Sequence, residues 1–335
     1  MKSAPVWWYL SELPQGRNAA RVGELFQVRG GSLHARVVDD VATAAKRGQY
    51  GRLMTRTHVA ARAVVVGGVL LAAISVVIRA NAGAMDVEAG DSGATVPLWS
   101  VWLAALAGIL VATLAAPRRR TAPVSPEAAR PQAVGLTTLA LAFTALLLTF
   151  GVAEPTFTGG KLVLLVALPL LLMRLRPVPR TRHGATARHH LGALAAVAAW
   201  GVLTFLMPWS SRTSPSTDSV PVTDLVLILV VGFVVNAVIE EVFYRRWLQT
   251  RLEDVAGPWP AIVVTSVLFA SWHVALGSAG GVLHRPGPDV LVGLAGALLN
   301  QGVIGVFLGF LWARYRLMWP ILLAHGALNA LPLIL

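Results

Sequence analysis

Three short stretches in the last third of the chain carry side chains that could do acid–base chemistry. They read EEVFYR from Glu240 to Arg245, FASWH from Phe269 to His273, and HGALN from His325 to Asn329. Each stretch contains a pair of residues four positions apart, and residues at i and i+4 share one face of a helix. The spacing therefore predicts three helices that each present one stripe of functional side chains.

Two glutamates, two histidines and an asparagine form a set that suits hydrolysis by water. A carboxylate in a dry pocket is a stronger base than in water, and a neighbouring imidazole can orient the water and share its proton. A histidine beside an asparagine, such as His325 and Asn329, can donate hydrogen bonds to a developing oxyanion. The set predicts an amide hydrolase that needs no serine, cysteine or threonine nucleophile.

A zinc site is an alternative use of the same residues, because two histidines and a glutamate are a common catalytic zinc set. Its ligands would be Glu240, His273 and His325. No histidine in the chain precedes a glutamate, so the HExxH pattern of zinc proteases is absent, and there is no GxGD run. We expect an enzyme that needs no cofactor, with a divalent metal such as zinc as the alternative.

Each candidate also has a purely structural interpretation. An i, i+4 pair of Glu241 and Arg245 lowers the cost of placing charge in a membrane helix and can simply fix helix packing. A single buried histidine is more often a hydrogen-bonded packing residue, and Asn329 could join two helices. The prediction of a site depends on the whole set of five residues on three helices, which packing alone does not explain.

The composition is that of an integral membrane protein. The chain is 56% hydrophobic and 13% charged, whereas soluble domains are about 45–50% apolar and about 25% charged. Its net charge of +12 is explained by arginines in cytoplasmic loops, so we expect membrane lipids rather than nucleic acid as partners. The absence of cysteine excludes disulfides and thiolate metal sites.

Apolar runs predict an all-α, polytopic membrane helix bundle of about eight to nine transmembrane helices. Basic loops alternate strictly with loops poor in Lys and Arg, which predicts a multi-pass protein of the cell membrane with a cytoplasmic N-terminus and an external C-terminus. The predicted spans are 60–79, 97–117, 134–153, 161–175, 191–209, 224–247, 260–277, 290–313 and 318–335. The stretches 118–132 and 174–190 are predicted to be exposed connectors.

The polar residues divide the chain into three predicted parts. Residues 1–57 form a cytoplasmic arm, 58–190 a set of accessory transmembrane helices almost free of ionisable groups, and 191–335 a polar-cored protease region. At about 1.5 Å rise per residue, the candidate side chains lie about 10–20 Å from the cytoplasmic helix ends. We therefore expect the last four helices to form one catalytic cavity.

The three stretches together resemble the signatures of one family. EEVFYR resembles EExxxR, FASWH resembles FxxxH and HGALN resembles HxxxN, in the order found in the CPBP family of CAAX proteases and bacteriocin-processing enzymes. That family includes the type II CAAX prenyl endopeptidases and the abortive-infection proteins. The resemblance covers roughly residues 190–335 and implies an intramembrane endopeptidase.

The resemblance also implies a role for each matching residue. Glu240 and His273 would activate the water, His325 and Asn329 would form the oxyanion hole, and Glu241 with Arg245 would support Glu240. The implied substrate is a membrane-associated protein, in one branch a prenylated CAAX protein cut after the prenyl cysteine. The family is often labelled a metalloprotease, although its structure-based interpretation is metal-independent.

Two rival functions remain open from the sequence. A transporter also needs carboxylates within the membrane, although half of the spans lack polar groups and no inverted repeat is evident. A non-catalytic membrane scaffold or bacteriocin-immunity protein would keep the fold and tolerate loss of Glu240. Substrate uptake into liposomes would favour the transporter, and a phenotype independent of Glu240 would favour the scaffold.

Overall fold

A computed structural model of the chain describes residues 73–75, 86–88, 95–116, 124–178, 184–207, 222–278 and 290–330. All of them belong to one structural unit, Gly68–Leu335. The predicted arm at 1–57 and most of the predicted span at 60–79 lie outside the described residues.

Eight long helices make up most of the described part of the chain, which confirms the predicted all-α membrane bundle. They are α1 (Leu98–Ala115), α2 (Pro126–Phe150), α3 (Thr156–Leu175), α4 (Ala187–Leu206), α5 (residues 222–256), α6 (Pro258–Ser278), α7 (residues 290–315) and α8 (Met318–Ala330). Two short strands precede them, β1 (Asp86–Glu88) and β2 (Thr95–Pro97), which pair antiparallel with Val87 opposite Val96.

Six of the described helices are long and apolar enough to cross a membrane: α1, α2, α3, α4, α6 and α7. The remaining two predicted spans after residue 80, at 224–247 and 318–335, correspond to the helices α5 and α8. Together these elements make the chain a multi-pass membrane protein.

The prediction that 118–132 is an exposed connector is wrong for its second half, because α2 begins at Pro126. The Ser125 side chain caps this helix by accepting a hydrogen bond from the Ala128 amide, and proline is well suited to the first helical position. The side chain of Gln132 is buried and donates a hydrogen bond to the Arg176 carbonyl at the end of α3. This part of the chain is therefore helical rather than a connector, and among residues 126–132 only Ala129 and Gln132 are buried, while the rest is exposed as predicted.

The helix α5 extends beyond its predicted end near Trp247 and stops only at Gly257. Gly257 has a φ of 85°, a conformation that favours glycine and ends a helix. The additional turns place Glu253 against Arg316, which follows α7, in an interhelical ion pair. This contact joins the ends of two helices that contribute to the membrane bundle.

The burial pattern separates outer helices from inner helices. In each of the helices α1 to α4, at most 33% of the apolar 18-residue stretch is buried, compared with 61% in α6 and in α7. The outer helices expose long rows of leucine, such as Leu106, Leu110 and Leu114 on α1. In a membrane protein such rows face lipid, so α6 and α7 are the central helices of the described bundle.

The helix α1 packs closely on its neighbours through small residues. Ala104, Gly108 and Ala112 lie four residues apart on one buried face of α1. A methyl group added at Gly108 would lie 2.4 Å from the ring of Phe307 on α7. Small residues let membrane helices approach each other where lipid provides no hydrophobic driving force. The α1 helix is thereby fixed against the central helix α7.

Candidate active site

Glu240 and Glu241 lie in a short α-helical segment of α5 between two π-helical segments. The π-helical segments are Phe233–Val238 and Val242–Gln249, and both glutamate side chains between them are buried. A π-helical turn adds a residue to the helix and occurs frequently at functional sites. The local backbone therefore has the geometry expected around a functional centre.

Glu241 is held by two partners on opposite sides of its carboxylate. Its Oε2 atom lies 3.0 Å from Arg245 Nε, one turn along α5, and its Oε1 atom lies 2.8 Å from His325 Nδ1 on α8. Both Glu241 and Arg245 are fully buried. Glu241 thus connects two of the three predicted motifs, and its direct contact is with His325 rather than with Glu240.

Glu240 is held by a lysine that lies outside the three motifs. Lys161 Nζ donates a hydrogen bond of 2.6 Å to Glu240 Oε1 and another of 2.7 Å to Asn236 Oδ1. The other carboxylate oxygen, Glu240 Oε2, lies 3.9 Å from His325 Nε2. That distance is too long for a hydrogen bond, so it leaves a polar gap between the two atoms.

None of the predicted site residues lies in the accessory helices at 58–190. One of these helices, α3, nevertheless contributes Lys161 to the surroundings of Glu240. The apolar runs predicted a span that begins at residue 161 and did not single out Lys161. The helix begins at Thr156 instead, which moves Lys161 inside it. One signal was available in the sequence: Lys161 is one of only three lysines in a chain rich in arginine.

His325 lies between the two glutamates and gives the site its geometry. Its Nδ1 atom contacts Glu241 and its Nε2 atom faces Glu240. The carboxylate partner on Nδ1 fixes the orientation of the ring, because an ionised carboxylate can only accept a hydrogen bond. His325 therefore presents Nε2, and only Nε2, to the gap beside Glu240.

The phenylalanine of the second motif is the common neighbour of the charged residues. The ring of Phe269 lies 4.9 Å from the ring of His273, 5.9 Å from that of His325 and 5.0 Å from the Arg245 guanidinium carbon. An aromatic face next to a guanidinium is favourable by cation–π attraction. Phe269 thus packs against both histidines and Arg245 and links them to the surrounding hydrophobic cluster.

His273 is oriented by its own helix. Its Nδ1 atom lies 2.8 Å from the Phe269 carbonyl, so Nδ1 is the donor and Nε2 is left as an acceptor. Within the described residues no hydrogen bond or ion pair joins His273 to Glu240. Its ring lies against Trp272, whose other neighbours include Lys161. The aromatic neighbours of His273 are thus Phe269 and Trp272, and Trp272 is the neighbour that it shares with Lys161.

Asn329 presents an unsatisfied hydrogen-bond donor. Its Nδ2 atom is buried and has no hydrogen-bond partner among the described residues. A buried amide donor without a partner costs free energy, about 1–3 kcal/mol, unless a ligand or water fills its place. Asn329 lies one turn after His325 on α8, so the two side chains share one face of that helix.

Further aromatic and polar residues lie on the same helices as the candidate site. Tyr244 and Trp272 belong to one hydrophobic cluster with Phe143 and Leu165. Asn300 and Gln301 lie in the π-helical segment Leu298–Gly302 of α7.

The three candidate zinc ligands, Glu240, His273 and His325, do not form one cluster in the described part of the chain. No group of three His, Asp or Glu side chains in the described part of the chain is close enough to hold a metal ion. In addition, the Lys161 ammonium nitrogen lies 2.6 Å from Glu240 Oε1, and its positive charge would repel a divalent cation bound to this carboxylate. The proposed ligand set of Glu240, His273 and His325 is thus not assembled around a common point.

The helices and the buried set of acidic, basic and amide groups define a polytopic membrane protein with a polar site inside its bundle. Residues 222–331 match the family model described as "Type II CAAX prenyl endopeptidase Rce1-like". The matched region spans α5 to α8 and contains all three motifs, so the match supports the family resemblance that the motifs predicted. No curated protein and no solved structure matches the chain.

Proposed function

We propose that this chain is an intramembrane endopeptidase that cleaves membrane-associated proteins with a water molecule activated by Glu240. The observation that carries the proposal is the gap between Glu240 Oε2 and His325 Nε2, 3.9 Å apart in a buried site. One water that lies beside the line joining these two atoms can hydrogen-bond to both of them. The family match over residues 222–331 supports the same class of reaction.

In the proposed reaction Glu240 Oε2 takes a proton from water as the water oxygen attacks the scissile carbonyl carbon. His273 Nε2 accepts a hydrogen bond from the same water and orients it. The new bond converts the carbonyl into a tetrahedral oxyanion. Glu240 then returns its proton to the leaving nitrogen, the C–N bond breaks, and a carboxylic acid and an amine are released. The glutamate ends the cycle as it began.

The oxyanion would accept hydrogen bonds from Asn329 Nδ2 and His325 Nε2. Asn329 suits this role because its buried Nδ2 has no partner among the described residues. His325 can donate from Nε2 only as the doubly protonated imidazolium, since Glu241 already holds the proton on Nδ1. Its charge would be balanced by Glu241, which Arg245 in turn positions.

The location of the site inside a membrane helix bundle supports a proposal for the substrate class. A peptide must enter from the bilayer or its surface, so we propose membrane proteins or lipid-anchored peptides, including prenylated CAAX-type sequences, as substrates. An acyl or prenyl chain could pack against the exposed leucines of the outer helices. The catalytic arrangement itself requires no metal, and we propose a metal-independent enzyme.

The test uses detergent-purified protein and a mixture of membrane-derived and prenylated peptides, with products identified by mass spectrometry. Wild type is compared with Glu240→Ala and with Glu240→Gln, which keeps an oxygen that can accept from Lys161. We expect cleavage by wild type only, unchanged by a chelator. Full activity of a folded Glu240→Gln protein would refute the mechanism, and loss of activity on chelation would favour the zinc alternative.

A further inference from the structure

Lys161 is completely buried although it belongs to an outer helix. It lies on α3, outside the region that matches the protease family, and its side chain has no exposed surface. Lysines near helix ends in membranes usually extend their ammonium groups toward water. Lys161 instead points into the bundle, toward the predicted catalytic base.

Two hydrogen-bond acceptors and two aromatic rings surround the ammonium group of Lys161. Two of its hydrogen bonds go to Glu240 Oε1 and Asn236 Oδ1, and its nitrogen lies 4.0 Å from the centre of the Phe157 ring and 5.1 Å from that of Trp272. Two acceptors and two aromatic faces are the environment of a charged ammonium, because all four attract positive charge. The site is therefore built for a cation.

The charged and titratable groups that act on Glu240 come from three helices. They are Lys161 on α3, His325 on α8 and Glu241 on α5 itself. Glu241 is already neutralised by Arg245, and His325 lies 3.9 Å from the opposite carboxylate oxygen. Lys161 is therefore the only one of these groups in direct hydrogen-bond contact with the Glu240 carboxylate.

The contact also selects which oxygen reacts. A carboxylate can exchange its two oxygens by rotation, and the strong Lys161 hydrogen bond to Oε1 prevents this exchange. Oε2 is then held on the side of His325. A base that is held in one orientation avoids the cost of reorganising during the reaction.

We propose that Lys161 is a positioning residue of the active site, which keeps Glu240 ionised and turned with Oε2 toward His325. The catalytic consequence rests on the proposed function, because it takes Glu240 as the base. It follows that the site is completed by an accessory helix. Residues 222–331 alone therefore lack one of its charged groups.

The first test reads the ionisation of Glu240 without any substrate. Infrared difference spectra of the full-length protein are recorded at neutral pH for two pairs of proteins that differ only at residue 240. The first pair is wild type and Glu240→Gln, and the second is Lys161→Met and Lys161→Met/Glu240→Gln. We expect the Glu240 side chain to give a carboxylate band in the first difference and a protonated carboxyl band in the second. Lys161→Gln, which keeps a hydrogen-bond donor but no charge, should also show the protonated band. A carboxylate band in either Lys161 variant would overturn the proposal.

The second test measures turnover. We expect Lys161→Met and Lys161→Gln to lower kcat at neutral pH about 100-fold or more, the size of a general-base contribution, with KM nearly unchanged. Arg174→Met is the matched control, because it removes a positive charge from an exposed position of the same helix and should keep wild-type kcat. A kcat within a factor of two of wild type in Lys161→Gln would also overturn the proposal.

The two tests separate the two hypotheses. If wild type cleaves no peptide, the proposed function fails, and the infrared spectra still decide whether Lys161 holds Glu240 in its ionised form. If Lys161→Met does not fold, Lys161→Gln provides both measurements. In the double variant both buried charges are gone, so we expect it to fold at least as well as Lys161→Met.

Discussion

The substitution Glu241→Gln should destabilise the protein more than any other conservative change in the site. Glu241 contacts Arg245 at 3.0 Å and His325 at 2.8 Å, and neither member of the Glu241–Arg245 pair has exposed surface. A glutamine keeps the size of the side chain but leaves the guanidinium of Arg245 buried without a counter-charge. We therefore expect a loss of folded protein at least as large as the loss of turnover.

The expected magnitude follows from the burial of the pair. Removal of one partner from a buried ion pair costs about 3–5 kcal/mol, and about 1 kcal/mol lowers the melting temperature by about 2–4 °C in a domain of this size class. Glu241→Gln should thus melt about 6–20 °C below wild type. A total stability of about 5–15 kcal/mol leaves little margin for such a loss.

The assay follows tryptophan fluorescence during thermal unfolding in detergent, for the single variants and for Glu241→Gln/Arg245→Met. The double variant removes both charges and should recover much of the lost melting temperature, because a neutral replacement can stabilise a protein as much as a buried ion pair does. Glu127→Gln is the control, because it removes an exposed carboxylate and should cost less than about 1 kcal/mol. A melting temperature for Glu241→Gln within about 2 °C of wild type would show that the reasoning is wrong.

Three further predictions concern packing, catalysis and the attachment of α1. Gly108→Ala places a methyl group 2.4 Å from the buried Phe307 ring and should cost about 1–3 kcal/mol, whereas Gly232→Ala, with open space around it, should not lower the melting temperature. Asn329→Ala should lower kcat about 100- to 1,000-fold with little change in melting temperature, because Nδ2 has no partner among the described residues; an unstable but fully active variant would contradict its assignment to the oxyanion hole. Arg314→Met removes the hydrogen bonds to the carbonyl groups at the end of α1 and should lower the free energy of unfolding by about 1.5–3 kcal/mol; unchanged unfolding would rule out this role.

The sequence by itself determined the class of the fold and most of the helices. Uninterrupted apolar runs can satisfy their backbone groups in lipid only as helices, so the spans could be located from composition alone. The three motifs could also be read from spacing, since the i, i+4 relation of Glu241 and Arg245 is a property of one helix. The boundaries of α2 and α5 were less certain, because they depend on capping and on packed polar turns.

Only the tertiary structure decided which partner each charged residue has. Periodicity shows which face of a helix carries a side chain, but the rotation and depth of the neighbouring helix determine what that face contacts. Glu240 therefore pairs with Lys161, 79 residues earlier, and Glu241 pairs with His325, 84 residues later. Once water is excluded, a buried carboxylate must be matched by the nearest donor or cation that packing supplies, and that choice is made among helices far apart in the chain.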